Sequence, residues 1–164
     1  MVLSIRYGWP MDATNRTVRI GFLLSQLGTF ATATFAAKTR ELGISPAEAG
    51  VLRILGHQAG INQRELSEKL GTAQSRVVAL IDTLETAHYV TRSRSITDRR
   101  NQQLQLTDSG RTLLGELRSA AEAQEAEVVT VLDPDERIQL LKLLLKLGTA
   151  RGLDPDVHPG YHTT

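Results

Sequence analysis

NQRELSEKLGTAQSRVVALIDTLETA, residues 62–87, is the stretch that decides the fold. It predicts a short helix ending at about Leu70, and then a second helix that begins within two residues, after a glycine-bearing turn. Asn62 and Glu65 form a capping box at the first helix start. Thr72 is the expected cap of the second helix, because its hydroxyl can accept from the unpaired amides of the next turn. The pattern is typical of a helix-turn-helix, although any two short amphipathic helices share it.

The residues that follow predict a β-hairpin attached directly to the second helix. Residues 90–94 alternate apolar or small groups with arginines, and residues 103–106 alternate again on the other side of the polar tip SITDRRN. A helix-turn-helix followed by such a hairpin is a winged helix. Segment 90–100 carries four arginines against Asp98, a local charge of +3, whereas segment 116–136 carries seven acids against one arginine. The net charge of +1 therefore hides a basic hairpin and an acidic helical region.

Helical patterns flank the winged helix on both sides. Apolar residues recur three and four apart from Thr17 to Glu41, and Ser45 opens a capping box with proline at the first helical position. Thr107 is the expected cap of a long helix over about 108–132. A further capping box at Asp133 opens the last helix.

The last helix, over about 134–150, is more apolar than a single buried face requires. Seven of the ten residues from Ile138 to Leu147 are apolar. One stripe facing a monomer core needs only about three or four apolar residues per two turns. We therefore expect a second copy of the chain to cover the remainder.

Composition excludes several classes of function. The 164 residues contain no cysteine, which excludes disulfides, cysteine-based zinc sites, thiolate nucleophiles and thiol-oxidation sensing. The sequence has no glycine-rich phosphate loop, nucleophile elbow or HExxH motif, so we expect no enzyme and no cofactor. His158 and His162 have the spacing of two metal ligands, but they lie in a proline- and glycine-rich tail, so we expect no metal site.

We also expect no membrane association. No stretch approaches the roughly 20 consecutive apolar residues that span a bilayer, and the first residues lack the features of a signal peptide. The expected location is therefore cytoplasmic.

The order of elements and the local residues resemble the MarR family of bacterial transcription regulators. The resemblance covers about residues 17–150, and its most specific piece is TDRRNQQLQLTDSGRTLL, residues 97–114, which is similar to the family's wing signature. That signature is Asp-Arg-Arg followed by alternating residues and Leu-Thr-x-x-Gly. One departure is His88, where the family usually has glycine before the strand, and histidine tolerates positive φ less well. The supporting pieces are ISPAEAGVLRIL (44–55), QRELSEKLG (63–71) and SRVVALIDTLE (75–85).

The resemblance implies a mainly α homodimer with a small β-wing, in which a winged helix-turn-helix is joined to a helical dimerisation region. Members of the family typically repress genes, and many lose DNA affinity on binding small phenolic or other aromatic compounds. We therefore expect a repressor that binds a pseudo-palindromic operator in double-stranded DNA and is released by a small aromatic effector. The implied parts are an N-terminal extension (1–16), the first dimerisation helix (17–44), the winged helix-turn-helix DNA-binding domain (45–107), the later dimerisation helices (108–150) and a flexible C-terminal tail (151–164).

A second function class stays open at this point. A helical dimer whose winged helix docks a protein partner, without any DNA function, shares the same element pattern. The four arginines of the hairpin, together with Gln74 and Arg76, argue against it.

Candidate DNA contacts follow from the second helix of the pair. The predicted inward stripe of this helix is Val77, Leu80, Ile81 and Leu84. A rotation of roughly 100° per residue then places Ser75, Ala79 and Thr83 outward, with Arg76 beside them. Gln and Arg side chains make bidentate contacts to base edges, and small neighbours let a helix sit deeply in the groove. The alternative is a merely solvated face. Together with the phosphate candidates at the preceding helix start and the hairpin arginines, the expected DNA contacts are Gln63, Arg64, Gln74, Ser75, Arg76, Ala79, Thr83, Arg92, Arg94, Asp98, Arg99 and Arg100.

The resemblance assigns roles to two further groups of residues. In the family the acid of the wing braces the arginine two positions on, so Asp98 is expected to orient Arg100 into the minor groove. The family's ligand pocket lies between the dimerisation helices and the winged lobe. The expected pocket residues are Arg53 and His57 for a carboxylate or phenolate, and Phe30 and Phe35 as aromatic walls.

Overall fold

The computed structural model of the chain describes residues 19–94, 102–154 and 157. These residues form a mainly α fold with a small β-wing, which is the predicted fold class. The N-terminal extension, the tip of the hairpin, and His158 and His162 lie outside the described residues. In chain order the elements are α1 (Ile20–Glu41), α2 (Pro46–His57), α3 (Gln63–Leu70), α4 (Gln74–Thr86), β1 (Val90–Arg94), β2 (Gln102–Leu106), α5 (Asp108–Val128) and α6 (Pro134–Thr149).

Local capping chemistry starts four of the helices where the sequence predicts. Ser45, Asn62 and Asp133 each accept from amides of the first turn and form complete capping boxes. Thr107 Oγ1 accepts from the Gly110 amide at 3.0 Å and starts α5. The predicted end of α5 at about 132 is wrong by one turn, because the helix stops at Val128.

The predicted cap at Thr72 is wrong. Helix α4 begins at Gln74 after Ala73, and no side chain caps it. The Thr72 amide donates to the Ser67 carbonyl at 3.1 Å, so this threonine completes the end of α3 rather than the start of α4.

One non-glycine residue of the described chain, His88, has positive φ. Three other helix ends place a glycine in this left-handed region, at positions 43, 71 and 152. His88 (φ 60°) ends α4 in the same way. Its amide donates to the Glu85 backbone carbonyl, and the Tyr89 amide donates to the Leu84 carbonyl at 2.9 Å. His88 therefore adopts the same left-handed conformation that glycine adopts at the other helix ends.

The wing, residues 90–106, is joined to the helix-turn-helix on both of its strands. Strands β1 and β2 form the predicted antiparallel hairpin, and the structure pairs Val90 with Leu106 and Arg94 with Gln102. Leu104 also pairs with the loop before α3, because its carbonyl accepts from Gly60 at 3.0 Å and its amide donates to Ile61 at 2.9 Å. Backbone hydrogen bonds at the middle of β2 thus hold the wing against the loop before α3.

One aliphatic core lies among α2, α3, α4, the wing and α5. The predicted inward stripe of α4 contributes Val77, Ile81 and Leu84, which are fully buried, and Leu80, which is half-buried. Gly110 allows α5 to approach the wing closely, since a Cβ atom at this position would lie 2.0 Å from the Tyr89 carbonyl oxygen.

Helix α6 lies outside this core. None of its residues is buried, and within the described part of the chain it makes no extensive contact with another element. Its seven apolar side chains are between 38% and 58% exposed. This agrees with the prediction that the apolar surface of α6 exceeds what one chain covers.

Helix α1 corrects the expectation that no segment is apolar enough to span a bilayer. By length and composition alone it passes that test, with a mean hydropathy of 1.4 over its most apolar window. That expectation relied on uninterrupted apolar runs, whereas serines and threonines interrupt α1 without making it polar on average. Its first half exposes Phe22, Leu27 and Phe30, and its second half packs against α2 and α5.

Candidate nucleic-acid interface

The outer face of α4 is made of small and polar side chains. Gln74, Ser75, Ala79 and Thr83 are all exposed, on the side of the helix opposite the buried stripe. The hydroxyl of Thr83 donates to the Ala79 carbonyl at 3.0 Å. The structure therefore brings together four of the residues that the sequence identified on this helix, and a groove-reading surface needs this combination of small and amide-bearing side chains.

Arg76 lies at the flank of that face and not at its centre. Its side chain is half-buried and lines a groove of about 800 Å³ between α4 and helices α1 and α2. Arg40 and Leu80 line the same groove. The helix rotation explains this position, since Arg76 lies roughly 100° from Ser75 on the side of Leu80.

The sequence analysis missed Asp82 on the outer face of α4. It lies seven residues, close to two full turns, after Ser75 and is exposed. The same rotation that identifies Ser75 and Ala79 also identifies this position, but a search for positive and amide side chains passes over a carboxylate.

Arg92, one of the expected DNA contacts, is ion-paired within the chain. Its guanidinium forms ion pairs with both Asp82 and Glu85 of α4, and the side chain is only 18% exposed. The Arg92 backbone amide also donates to Glu85 Oε1 at 3.3 Å. Burial by itself would lower the pKa of this guanidinium, but the hydrogen bond to Asp82 and the two negative charges outweigh it, so the net pKa shift is upward.

The other arginines of the wing are described only in part. The backbone of Arg94 ends β1, and its side chain lies outside the description. Asp98, Arg99 and Arg100 lie outside the described residues, and so does the predicted brace between Asp98 and Arg100.

The first turn of α3 presents the two predicted phosphate contacts. Arg64 is exposed, and its Nε lies 3.1 Å from Glu68 Oε1, one turn further along the helix. Gln63 is half-buried beside it. A solvent-exposed pair of this kind contributes little to stability, so it leaves Arg64 available to a stronger partner.

A separate cavity of about 250 Å³ lies between α1, α2 and α5. Phe35, Arg53 and His57 line it, as predicted. Phe30 does not: its side chain is 53% exposed, because five residues along a helix turn it away from the Phe35 face. The sequence analysis missed Ala49 of α2 and one face of α5 as parts of the cavity lining. The α5 residues are Leu114, Leu117, Arg118 and Ala121.

The described ranges 19–94 and 102–154 contain no candidate metal site. No group of three or more histidine, aspartate or glutamate side chains there is arranged to hold an ion.

Known proteins with similar sequence are transcription regulators. The sequence model of the MarR family matches residues 42–101. The transcriptional repressor MdtR of Bacillus subtilis is 29% identical over 112 residues, which cover 68% of this chain and 72% of the relative.

Solved structures of transcription regulators also resemble this chain. The repressor CouR, solved with a 23-mer DNA duplex, is 30% identical, covers 79% of this chain and 92% of its own, and superimposes with a TM-score of 0.69. Apo MarR from Escherichia coli is 22% identical, covers 81% of this chain and 98% of its own, and has the same fold with a TM-score of 0.71. The exposed outer face of α4, the wing beside it and these relatives together place the chain in the MarR family of winged helix-turn-helix, DNA-binding transcription regulators.

Proposed function

We propose that this protein is a homodimeric repressor that binds a pseudo-palindromic operator and is released by a small aromatic acid or phenol. One observation carries the proposal: the unpaired apolar surfaces of α1 and α6 belong to the same chain as a winged helix with an exposed outer face on α4. A second copy that covers those surfaces gives the assembly two α4 helices related by two-fold symmetry. Such an assembly recognises two inverted half-sites.

The apolar surface is too large for a monomer in water. Seven apolar side chains of α6 and six large ones in the first half of α1 are exposed in a single chain. Each leucine or phenylalanine that becomes fully buried contributes roughly 1.5–3 kcal/mol. Association of two copies is the simplest way to remove this surface from water.

A bilayer is a poorer partner for α1 than a second copy. The Ala31 carbonyl of α1 accepts from Gln124 Nε2 at 3.1 Å, and Thr39 of α1 is fully buried. Insertion of α1 into a membrane would break these contacts and expose part of the core. The apolar surface of α6 would also remain in water.

The cavity between α1, α2 and α5 supports the proposed effector class. Arg53, His57 and Arg118 supply positive or hydrogen-bonding groups, and Phe35, Leu114 and Leu117 supply apolar walls. A volume of about 250 Å³ suits a single aromatic ring with one anionic substituent. Since α2 leads directly into the helix-turn-helix and α1 carries dimer surface, an occupied cavity would change the spacing of the two α4 helices.

Operator binding is tested by gel shift and footprinting. The full-length protein is mixed with DNA from upstream of its own gene, with excess nonspecific DNA as competitor. We expect a competitor-resistant complex and symmetric protection, and light scattering is expected to give the mass of a dimer. A protein that has the mass of a monomer at micromolar concentration would contradict the proposal. A DNA complex that the competitor abolishes would contradict it as well.

The effector site is tested separately with benzoate and 4-hydroxybenzoate as probes. We expect release of the operator at millimolar probe, and we expect Arg118→Gln to lose the response while it keeps operator affinity. Lys142→Gln, an exposed cation on α6, serves as the matched control and should respond as the unmodified protein does. Equal release of all three proteins would show that the cavity does not bind the probe.

A further inference from the structure

Arg92 joins the wing to the recognition helix through two carboxylates. Its guanidinium contacts Asp82 and Glu85, which lie three residues apart and therefore one turn apart on α4. The Arg92 backbone amide donates to the same Glu85 side chain, so both the side chain and the main chain of this residue are fixed to α4.

This contact lies at the position where the angle between wing and helix is set. Only three residues, 87–89, separate α4 from β1. Arg92 is the third residue of β1 and pairs with Leu104 of β2, so it lies halfway along the described part of the hairpin. At this level of the hairpin the backbone bonds of Leu104 hold β2 to the loop before α3, and the Arg92 contacts hold β1 to α4.

The guanidinium fork suits this task better than another cation. Asp82 is 59% exposed and Glu85 is 40% exposed, while the arginine between them is mostly covered. A planar group with donors on two sides can reach both carboxylates at once, which a lysine ammonium does less specifically.

We propose that Arg92 is a positioning residue for DNA binding, which acts by clamping the wing to the recognition helix and not by contacting DNA. The proposal rests on the proposed function for its operator, and it adds a role that the family resemblance does not assign to this residue. A wing held at one tilt before DNA arrives is already ordered relative to the α4 face, so less conformational entropy is lost when DNA binds. Removal of the clamp therefore weakens operator binding without removing a phosphate contact.

A mutant cycle separates positioning from simple electrostatics. Arg92→Gln is compared with the double variant Asp82→Asn, Glu85→Gln, and with the triple variant that combines them. Arg92→Gln is expected to weaken operator binding by about 10-fold. The double variant removes two negative charges near DNA, yet we expect it to bind more weakly than the parent, and we expect Arg92→Gln to cost less than about 3-fold in that background.

The salt dependence gives the second readout. Loss of one phosphate contact makes the slope of log affinity against log salt flatter by about 0.9. Loss of one contact in each subunit makes it flatter by about 1.8 for the dimer. Because Arg92 is assigned no phosphate, the slope of Arg92→Gln should equal that of the parent protein. Lys38→Gln, which breaks the Lys38–Glu41 ion pair near the end of α1, is the control for loss of a cation.

Amide hydrogen exchange tests the clamp in the absence of DNA. In free, full-length protein, amides of segment 90–106 should lose protection in Arg92→Gln and regain part of it in Arg92→Lys. Peptides of α2 should be unchanged in both variants, which also shows that the variants are folded. If the parent protein bound no operator, the proposed function would fail while this exchange result still tested the clamp.

Two results would overturn the proposal. One is a salt slope that is flatter by about two in Arg92→Gln, which identifies Arg92 as a phosphate contact. The other is tighter operator binding by the Asp82→Asn, Glu85→Gln variant, together with unchanged exchange in segment 90–106.

Discussion

His88 adopts a conformation that other helix ends in this chain reserve for glycine. The left-handed region costs an L-residue roughly 1–2 kcal/mol, and glycine gives back about 0.4–1 kcal/mol through its freedom in the unfolded chain. We expect His88→Gly to raise the free energy of unfolding by about 0.5–1 kcal/mol in urea titrations. His88→Val should lower it, since a β-branched residue tolerates this φ poorly. Equal stability of all three proteins would show that the turn is not strained.

Gly110 is required for a different reason, the close approach of α5 to the wing. A Cβ atom there would lie 2.0 Å from a backbone oxygen of Tyr89, so either α5 or the α4–β1 turn must move. We expect Gly110→Ala to destabilise the fold by about 1–3 kcal/mol. Gly115→Ala on the same helix meets nothing within 4 Å and should stabilise it by up to about 1 kcal/mol. Thermal unfolding of the two variants checks both signs.

Prediction from sequence at the scale of single residues succeeded where the chemistry is local. The capping boxes and Thr107 were found because both partners lie within four residues of each other. Thr72 failed because the end of one helix and the start of the next compete for the same turn. The partners of Arg92 were missed because a pair between β1 and α4 depends on how the two elements pack, which the sequence does not display.

Within the described residues, helix α6 keeps its apolar surface exposed. Leu144, in the middle of its apolar surface, is 41% exposed in the single chain and is expected to be covered in the dimer. We expect Leu144→Glu to shift the assembly towards monomer, because a carboxylate in an apolar interface loses its hydration. Lys142→Ala, on the same helix, should leave the mass unchanged.

Analytical ultracentrifugation across a range of concentrations measures this shift. In the parent protein the unfolding temperature should rise with concentration, because folding and association are linked. A Leu144→Glu protein that remains dimeric at low micromolar concentration would show that α6 is not part of the interface.

At the scale of elements, the sequence predicted order and type well and ends less well. The alternation in 90–94 and 103–106 gave both strands because period two is unambiguous when one face is buried. Helix α5 was predicted one turn too long, since apolar periodicity continues through Val129–Leu132 while the backbone leaves the helix. The cavity residues were predicted only on α1 and α2, because which face of α5 closes the cavity depends on packing.

The charge distribution of the whole molecule gives the last prediction, which concerns the operator. Two α4 helices on one face of a dimer meet the same side of the duplex when their half-sites lie about 10 base pairs apart, centre to centre. Because Arg92 is internally paired, the remaining cations are Arg64, Arg94, Arg99 and Arg100, which makes eight in a dimer. If about 5–7 of them neutralise phosphates, the log–log salt slope is about −4.5 to −6.3.

The acidic segment 116–136 must face away from the duplex for this slope to hold, because seven carboxylates near the phosphates would oppose binding. Footprinting measures the half-site spacing, and affinities from low to moderate salt measure the slope. Charge reversal of Glu125 to lysine should change neither quantity, while Arg100→Gln should flatten the slope by about two. Protection of a single asymmetric half-site, or an affinity that salt barely alters, would mean that the two winged helices do not dock on DNA together.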